Sequence, residues 1–285
     1  MKICRFKTAA AEIRAGIITG DGHVLDLTPA GITNLQTVIE HADPLAFLSA
    51  APAQTLPRHA LATVTLCAPV ERQEVWAAGV TYLRSKTARM EESDFSATAY
   101  DRVYAAARPE IYYKTNAEKV GGRGGTGGIR RDARWNVPEP ELALVLNSKG
   151  TIVGYTIGND MSSRDIEGEN LLYLPQAKVY DRACALGPCI TLGTPEAAVR
   201  EWQITIAIKR AGRTEFSGET SPGQLKRSFA ELAGYLFRSQ TFPHGAVLLT
   251  GTGIVPDDTF TLHAGDEVEI EISGIGRMSN RVEVV

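Results

Sequence analysis

Residues 153–165 read VGYTIGNDMSSRD, a run with β-branched and aromatic side chains that ends in polar residues. Its first part, Val153–Ile157, predicts a β-strand, because such side chains are enriched in strands. Asp160 is therefore expected just beyond the end of a strand, where a carboxylate is available for chemistry.

A second acidic stretch lies upstream, at Pro138-Glu139-Pro140-Glu141-Leu142. If residues 139–145 are extended, Glu139 and Glu141 point to the same face, because side chains alternate along a strand. Two adjacent carboxylates repel each other unless a proton or a metal ion lies between them. With Asp160 they offer three oxygen ligands and no nearby cysteine or histidine, which suits Mg²⁺ or Mn²⁺. The alternative, which the spacing alone favours, is that both glutamates form the solvated face of an edge strand.

Strands dominate the rest of the pattern. Short runs with alternating polarity or β-branched side chains predict strands at Lys2–Phe6, Ala15–Thr19, His23–Asp26, Trp202–Lys209, Ala246–Thr250 and Val268–Ile272. We therefore predict an α+β fold with a large sheet component rather than a succession of βαβ units. Prolines between residues 52 and 69 suggest a small N-terminal α+β domain at residues 1–70 and a catalytic domain at residues 71–285.

Helix start signals are few. Asn34 is expected to cap a helix that runs toward His41. A second helix is predicted to open at Thr194-Pro195-Glu196 and a third at Ser221-Pro222, each with a proline at the first helical position. The third would place four apolar side chains on one packing face, namely Leu225, Phe229, Leu232 and Leu236.

A glycine-rich run at residues 122–127 fits the pattern GxGxxG by letter. The polar residues after it lack the helical periodicity of a dinucleotide-binding fold, and the P-loop lysine is missing. We therefore predict a mobile loop in residues 121–128. Arg130 and Arg131 after it are candidates for contacts with an anionic substrate.

Composition excludes several classes of partner. The formal net charge is −3 and there is no long basic run, so neither nucleic acid nor an anionic membrane surface is an expected partner. No apolar run approaches the roughly 20 residues that a membrane span needs, and the N-terminus does not resemble a signal peptide. The four cysteines form no CxxC pair, so reduced thiols and a cytoplasmic location are expected.

The run Gly158–Asp165 resembles the ND-x-S-x-R-D signature of the fumarylacetoacetate hydrolase superfamily. Further matching motifs follow the family order over residues 74 to 282, namely Glu139-x-Glu141, Lys178, Leu186–Pro188, Thr250–Thr252, Gly274–Gly276 and Asn280. The resemblance implies a mixed β-roll catalytic domain and a homodimer or higher homo-oligomer. It also implies a Mg²⁺ ion, with Mn²⁺ as a substitute, held by Glu139, Glu141 and Asp160, and a lysine, Lys178, that points at the substrate.

One motif departs from the hydrolases of this superfamily, which typically carry G-x-N-Y-x-x-H-x-x-E. The corresponding stretch, Gly79–Ala88, has Ser85 in place of the histidine and Ala88 in place of the glutamate. Neither residue can act as a general base toward water at neutral pH. The usual hydrolytic mechanism is therefore not expected.

Another branch of the superfamily fits better. Four stretches are similar to the 2-keto-3-deoxy sugar acid dehydratases, namely Tyr82–Ser85, Arg108–Lys114, Asp165–Asn170 and Pro175–Lys178. In that branch a glutamate and a lysine take the acid–base roles, and they match Glu110 and Lys178. The implied reaction converts a 2-keto-3-deoxy-pentonate, a small 2-oxo acid, to 2-oxoglutarate semialdehyde.

The resemblance also points to residues that contact the substrate. Arg84 and Ser85 are candidates for contacts with sugar hydroxyls. Arg164 is expected either to bind substrate or to brace Asp160, and Thr252 either to bind the substrate carboxylate or to form a turn. Two rival functions stay open: hydrolysis of an acylpyruvate or decarboxylation of oxaloacetate on the same metal site, and a non-catalytic protein that inherited the fold.

Overall fold

The computed structural model describes residues 1–8, 10–92 and 101–285. β-Strands dominate this part of the chain, as the sequence pattern predicts. The strands are β1 (Lys2–Lys7), β2 (Ile13–Ile18), β3 (His23–Asp26), β4 (Arg58–Ala60), β5 (Thr65–Cys67), β6 (Glu74–Gly79), β7 (Glu110–Asn116), β8 (Thr126–Ile129), β9 (Asn136–Val137), β10 (Pro140–Leu146), β11 (Ile152–Asp160), β12 (Ser162–Ser163), β13 (Cys184–Leu192), β14 (Ile204–Arg210), β15 (Arg213–Thr220), β16 (Ala246–Leu249), β17 (Glu267–Ile272) and β18 (Gly276–Val284).

Helices are short and few. They are α1 (Leu35–Ile39), α2 (Pro44–Ser49), α3 (Leu83–Glu92), α4 (residues 101–105), α5 (Arg164–Glu169), α6 (Leu174–Lys178), α7 (Glu196–Arg200) and α8 (Phe229–Leu236). Within the described ranges, none of these helices combines the length and the apolar character that crossing a membrane requires. The α+β class predicted from the sequence is confirmed.

The described residues form three sheets. The largest has eleven strands in the order β4-β3-β2-β1-β13-β11-β10-β16-β6-β7, with β5 paired to β1 as well. It is mixed, because β16 and β6 are parallel whereas the pairs of β10 with β11 and β16 are antiparallel. A second sheet has the order β15-β14-β17-β18-β8, and β9 pairs with β12.

Strand β10 lies near the middle of the large sheet and is covered on both faces. Leu142, Leu144 and Leu146 pack into one hydrophobic cluster with the apolar side chains of β14 and β17. Ala143 and Val145 point the other way, into a second cluster that includes residues of α1. All seven residues of β10 are buried, so Glu141, which shares the face of Ala143 and Val145, also lies in the interior.

Residues 1–70 contribute strands to the same large sheet, since β1 pairs with β13 at Lys2–Thr191 and Ile3–Ile190. The predicted cap also forms, because Asn34 Oδ1 accepts a hydrogen bond from Thr37 N at 2.9 Å at the start of α1. The division at residue 70 into two domains stays a prediction.

The helix predicted to open at Ser221 begins later. Ser221 caps only a 3-10 turn, Pro222–Gln224, and the backbone is extended at Leu225. Helix α8 begins after Ser228, whose hydroxyl accepts a hydrogen bond from Glu231 N, the Ser-x-x-Glu spacing of a capping box. The four predicted apolar side chains are nevertheless all buried. Similarly, α7 begins at Glu196, one residue after the proline that was expected to lie inside it.

The expectation of a mobile loop is wrong for residues 126–128, which lie in β8 and pair in parallel with β18. Glycine is needed there for close packing, since a Cβ on Gly128 would lie 2.4 Å from the carbonyl oxygen of Asp181. The arginines that follow have partners on the protein, and their contact with an anionic substrate stays a prediction. Arg130 forms two hydrogen bonds to Asp132, and Arg131 donates to the carbonyl of Val285.

Candidate active site

Three buried carboxylates meet at one end of the large sheet. Glu141 is the second residue of β10 and Asp160 is the last of β11, and the antiparallel register pairs Glu141 with Gly158. Glu139 joins them just before β10, where its N–H donates to the side chain of Asn159. One carboxylate oxygen from each of the three lies within 4.8 Å of the others, and the side chains of Glu139 and Glu141 line the same cavity.

The burial of these groups decides between the two interpretations of the acidic stretch. Glu139, Glu141 and Asp160 are only 4%, 1% and 0% exposed. Strand β10 is flanked on both sides, by β11 and β16, so it is not an edge strand. The interpretation as a solvated edge face, which spacing alone favours, is therefore wrong.

Among the side chains that the structure describes, three cations surround the carboxylates. Lys178 Nζ lies 2.7 Å from Glu139 Oε2 and 3.6 Å from Asp160 Oδ2. Lys114 Nζ lies 2.5 Å from Asp160 Oδ1, and Arg164 Nε lies 3.6 Å from Glu139 Oε1. These three cations and their two partners, Glu139 and Asp160, are almost inaccessible to water. The ion pairs therefore offset the large desolvation penalty of the buried charges.

Glu141 is stabilised differently. The N–H of Gly251 donates a hydrogen bond of 2.6 Å to Glu141 Oε2. Burial raises the pKa of Glu141 well above its ordinary value, and the neighbouring charges of Asp160 and Glu139 raise it further. A divalent cation between the three carboxylates would remove this repulsion.

The donor set fits Mg²⁺ or Mn²⁺. Its three members offer hard oxygen ligands, and in the part of the chain that the structure describes it is the one cluster of three or more metal-ligating side chains. The residues predicted to bind the metal are therefore brought together by the fold, as the sequence analysis expected.

The cavity beside the carboxylates collects most of the other predicted residues. Of the residues that the structure describes, twelve line it, namely Ala78, Gly79, Val80, Ser85, Glu110, Tyr112, Glu139, Glu141, Arg164, Glu167, Gly251 and Thr252. Ser85, Glu110, Arg164 and Thr252 were all predicted from the sequence. Arg84 was also predicted, but its side chain is exposed and does not line the cavity. Its role in binding substrate stays a prediction.

Glu110 is placed by the pairing of β7 with β6, which sets it opposite Gly79. A Cβ on Gly79 would lie 2.1 Å from Glu110 Oε2, so glycine makes room for this carboxyl group. Thr252 is held in a turn, because its hydroxyl exchanges hydrogen bonds with the backbone of Ile254.

Three side chains at the site were missed by the sequence analysis. Tyr112 donates a hydrogen bond of 2.6 Å to Asp160 Oδ2. Burial and the nearby charge of Asp160 raise the pKa of this phenol, so it stays protonated. Lys114 is fully buried, and Glu167 accepts a hydrogen bond from Ser162 at 2.9 Å. Alternation along β7 from Glu110 could have pointed to Tyr112 and Lys114, which follow it at positions i+2 and i+4.

Comparison with known proteins identifies the family of the chain. The chain belongs to the fumarylacetoacetate hydrolase family, since the description of the fumarylacetoacetate (FAA) hydrolase C-terminal domain matches residues 74–283. The resemblance based on the motif around Asp160 is confirmed, as is the α+β fold with a mixed β-roll.

Within that family, the chain is similar to dehydratases of sugar acids. It is 48% identical over 217 residues to a protein of Haloferax volcanii named as a probable 2-keto-3-deoxyxylonate dehydratase, covering 76% of this chain and 74% of the relative. It is 40% identical over 223 residues to the 2-dehydro-3-deoxy-D-arabinonate dehydratase of Saccharolobus solfataricus, covering 77% and 75%. A solved structure of 2-keto-3-deoxy-D-arabinonate dehydratase complexed with magnesium and 2,5-dioxopentanoate matches with a TM-score of 0.84 and 31% identity, covering 100% and 99% of the two chains.

Proposed function

We propose that this chain is a Mg²⁺-dependent dehydratase that converts a 2-keto-3-deoxy-pentonate of the arabinonate or xylonate type to 2-oxoglutarate semialdehyde, which is 2,5-dioxopentanoate. The observation that carries the proposal is the buried cluster of Glu139, Glu141 and Asp160, two of whose members line one cavity together with Glu110. Lys178 lies in contact with Glu139 and Asp160. The named relatives act on sugar acids of this class.

The metal would be held by Glu139, Glu141 and Asp160. When bound, Mg²⁺ supplies a Lewis acid beside the keto group, which stabilises the negative charge that develops when a C3 proton leaves. The cavity is also lined by Ser85 and Glu110, and Arg164 supplies a buried positive charge for an anionic substrate.

Lys178 and Glu110 would carry the proton transfers. In one assignment Lys178 would give up its proton when a dication is held beside it, since like charges repel, and the neutral amine then takes the C3 proton. Protonated Glu110 gives a proton to the C4 hydroxyl, which leaves as water. The two roles can also be exchanged. Loss of water leaves an unsaturated 2-oxo acid with a C5 hydroxyl, and tautomerisation then gives the C5 aldehyde. Each positioned acid or base of this kind contributes about 10²–10⁴-fold to the rate.

The lining of the cavity argues against the hydrolytic alternative. No histidine is among the described residues that line it, and Ser85 occupies the position of the hydrolase histidine with its hydroxyl donating to the carbonyl of Tyr82. The metal ligands are all present, which also argues against a non-catalytic protein.

The test is turnover of 2-keto-3-deoxy-arabinonate and of its C4 epimer, with Mg²⁺ and after chelation, followed by the appearance of 2,5-dioxopentanoate. We expect metal-dependent product from at least one epimer. If both epimers stay unchanged, the dehydratase assignment is rejected, and acylpyruvates and oxaloacetate become the next substrates to screen.

The proposal also includes the oligomeric state and the cellular location of the protein. We expect a homodimer or a higher homo-oligomer, which light scattering would measure, and the exposed apolar side chains of Leu83 and Leu172 are candidates for the covered surface. The four cysteines are free thiols, which supports a cytoplasmic location.

A further inference from the structure

Lys114 is a fully buried lysine that the proposed reaction does not use. Three oxygen atoms surround its ammonium group: Asp160 Oδ1 at 2.5 Å, the carbonyl of Lys178 at 2.6 Å and the carbonyl of Met161 at 2.9 Å. The two carbonyls accept hydrogen bonds from the ammonium group, and the Asp160 oxygen forms an ion pair with it. A buried charge with this many partners is held in one place.

The three oxygens belong to two separate parts of the site. Asp160 and Met161 lie at the end of β11, whereas the carbonyl of Lys178 lies at the last residue of α6. The last carbonyls of a helix lack partners within the helix and carry partial negative charge, so a cation is favourable there. Lys114 therefore connects the strand end that carries a metal ligand to the helix end that carries the proposed base.

The other oxygen of Asp160 is held from the same strand. Tyr112, two residues before Lys114 in β7, donates to Asp160 Oδ2 at 2.6 Å. Glu110 lies two residues before Tyr112, so β7 carries Glu110 and two of the side chains that contact Asp160, Tyr112 and Lys114. Each oxygen of this metal ligand thus has a partner on β7.

The geometry points to Lys114 as a positioning residue that sets the spacing between Asp160 and Lys178. It orients the Asp160 carboxylate for the metal and fixes the end of α6, from which the Lys178 side chain reaches Glu139 and Asp160. Its effect on metal affinity does not depend on the identity of the substrate. Its effect on turnover rests on the proposed function.

The test compares Lys114→Met with Lys119→Met. Methionine keeps most of the length of the side chain and removes the charge. Lys119 lies in the turn that follows β7 and forms an exposed ion pair with Asp181 at 3.0 Å, so it controls for loss of a lysine close to the site. Mg²⁺ binding is measured by isothermal titration calorimetry without substrate, and kcat is measured at saturating Mg²⁺. Near-UV circular dichroism establishes that each variant is folded.

We expect folded Lys114→Met to bind Mg²⁺ about 10–100-fold more weakly than the wild type, as for other partners of metal ligands. The variant also loses the hydrogen bond from Lys114 to the carbonyl at the end of α6. Its kcat should therefore remain at least about 10-fold below that of the wild type even at saturating Mg²⁺. Lys119→Met should match the wild type in both measurements.

Unchanged Mg²⁺ affinity in Lys114→Met would overturn the assignment. Recovery of wild-type kcat at high Mg²⁺ would overturn the connection to Lys178. If Lys114→Met does not fold, Lys114→Gln, which is neutral but keeps a donor, gives the same comparison. Failure of both variants to fold would show a purely structural role and reject the proposal. A wild-type protein that binds Mg²⁺ yet leaves both sugar acids unchanged would refute the proposed function alone, since the calorimetry still tests Lys114.

Discussion

Replacing Lys178 with methionine separates catalysis from metal binding at this site. The Lys178 ammonium group is 2.7 Å from Glu139 Oε2, and both side chains are almost completely buried. Lys178→Met keeps the shape of the side chain approximately and removes one of the three positive charges that face the three carboxylates. The carboxylates then carry an excess of negative charge in a site from which water is largely excluded.

The size of the effect on stability follows from this burial. Removing one partner of a buried ion pair costs about 3–5 kcal/mol, because the other charge stays in the interior without compensation. At roughly 2 °C per kcal/mol for a chain of this length, the melting temperature of metal-free protein should fall by about 6–10 °C. Mg²⁺ should bind at least as tightly as in the wild type, since the lost cation no longer repels it.

The effect on turnover should be larger. Loss of a positioned general base lowers kcat by about 10²–10⁴-fold. The assay measures 2,5-dioxopentanoate formation at saturating Mg²⁺, together with calorimetric Mg²⁺ affinity and thermal unfolding with and without chelator. Lys149→Met is the matched control, because Lys149 is exposed in the turn between β10 and β11. The melting temperature and kcat of this variant should equal those of the wild type.

Three results would refute this reasoning. Turnover close to that of the wild type would reject Lys178 as the base or acid of the reaction. An unchanged melting temperature in metal-free Lys178→Met would show that the ion pair with Glu139 does not compensate a buried charge. Loss of Mg²⁺ binding in this variant would contradict the expectation that the carboxylates alone hold the metal.

Three further predictions concern other parts of the molecule. Gly79→Ala should leave the fold intact and lower kcat by about 10²-fold, because the added Cβ displaces the Glu110 carboxyl group. Gly234→Ala is the control, because a Cβ at this position meets no neighbour. Equal kcat values in the two variants would contradict the role of Glu110. Burial would raise the pKa of Asp266, but two hydrogen bonds from Arg210 and one from the backbone lower it below its ordinary value of 3.8. The stabilisation by ionised Asp266 is thus fully present above pH 3.8 and is lost as the pH falls through the lowered pKa. The difference in free energy of unfolding between the wild type and Asp266→Asn, measured by thermal unfolding, should therefore shrink at acid pH. A difference that does not change with pH would show that the pKa of Asp266 is ordinary. Mg²⁺ at 100 times its dissociation constant should stabilise the protein by about 2.7 kcal/mol in calorimetric unfolding, with NaCl of equal ionic strength as the control, and an identical melt in both salts would exclude a metal site.

Local signals in the sequence predicted several features correctly. Asn34 caps α1, and the strand at residues 153–157 lies within β11, because caps and alternation depend only on neighbouring residues. The same alternation placed Glu139 and Glu141 on one face. The motif around Asp160 indicated the family, and with it the ligands and the lysine that the fold brings together.

Other features depend on contacts between residues far apart in the chain. The backbone is extended at Leu225, where the start signal at Ser221-Pro222 and the apolar spacing predicted a helix. The glycine-rich run packs against Asp181 and β18. No local pattern distinguishes a glycine in a loop from one that makes room for a distant carbonyl group.

The sequence by itself determined the chemistry of the site: three carboxylates, a lysine and a glutamate, with no histidine where hydrolases have one. Tertiary structure alone decided that the carboxylates are buried. Glu141 is in the interior because β16, about a hundred residues later, pairs with β10 and covers its second edge. Burial is also what selects Lys114 and Tyr112 as partners of Asp160, since charges that water would screen on a surface must find compensating partners in the core.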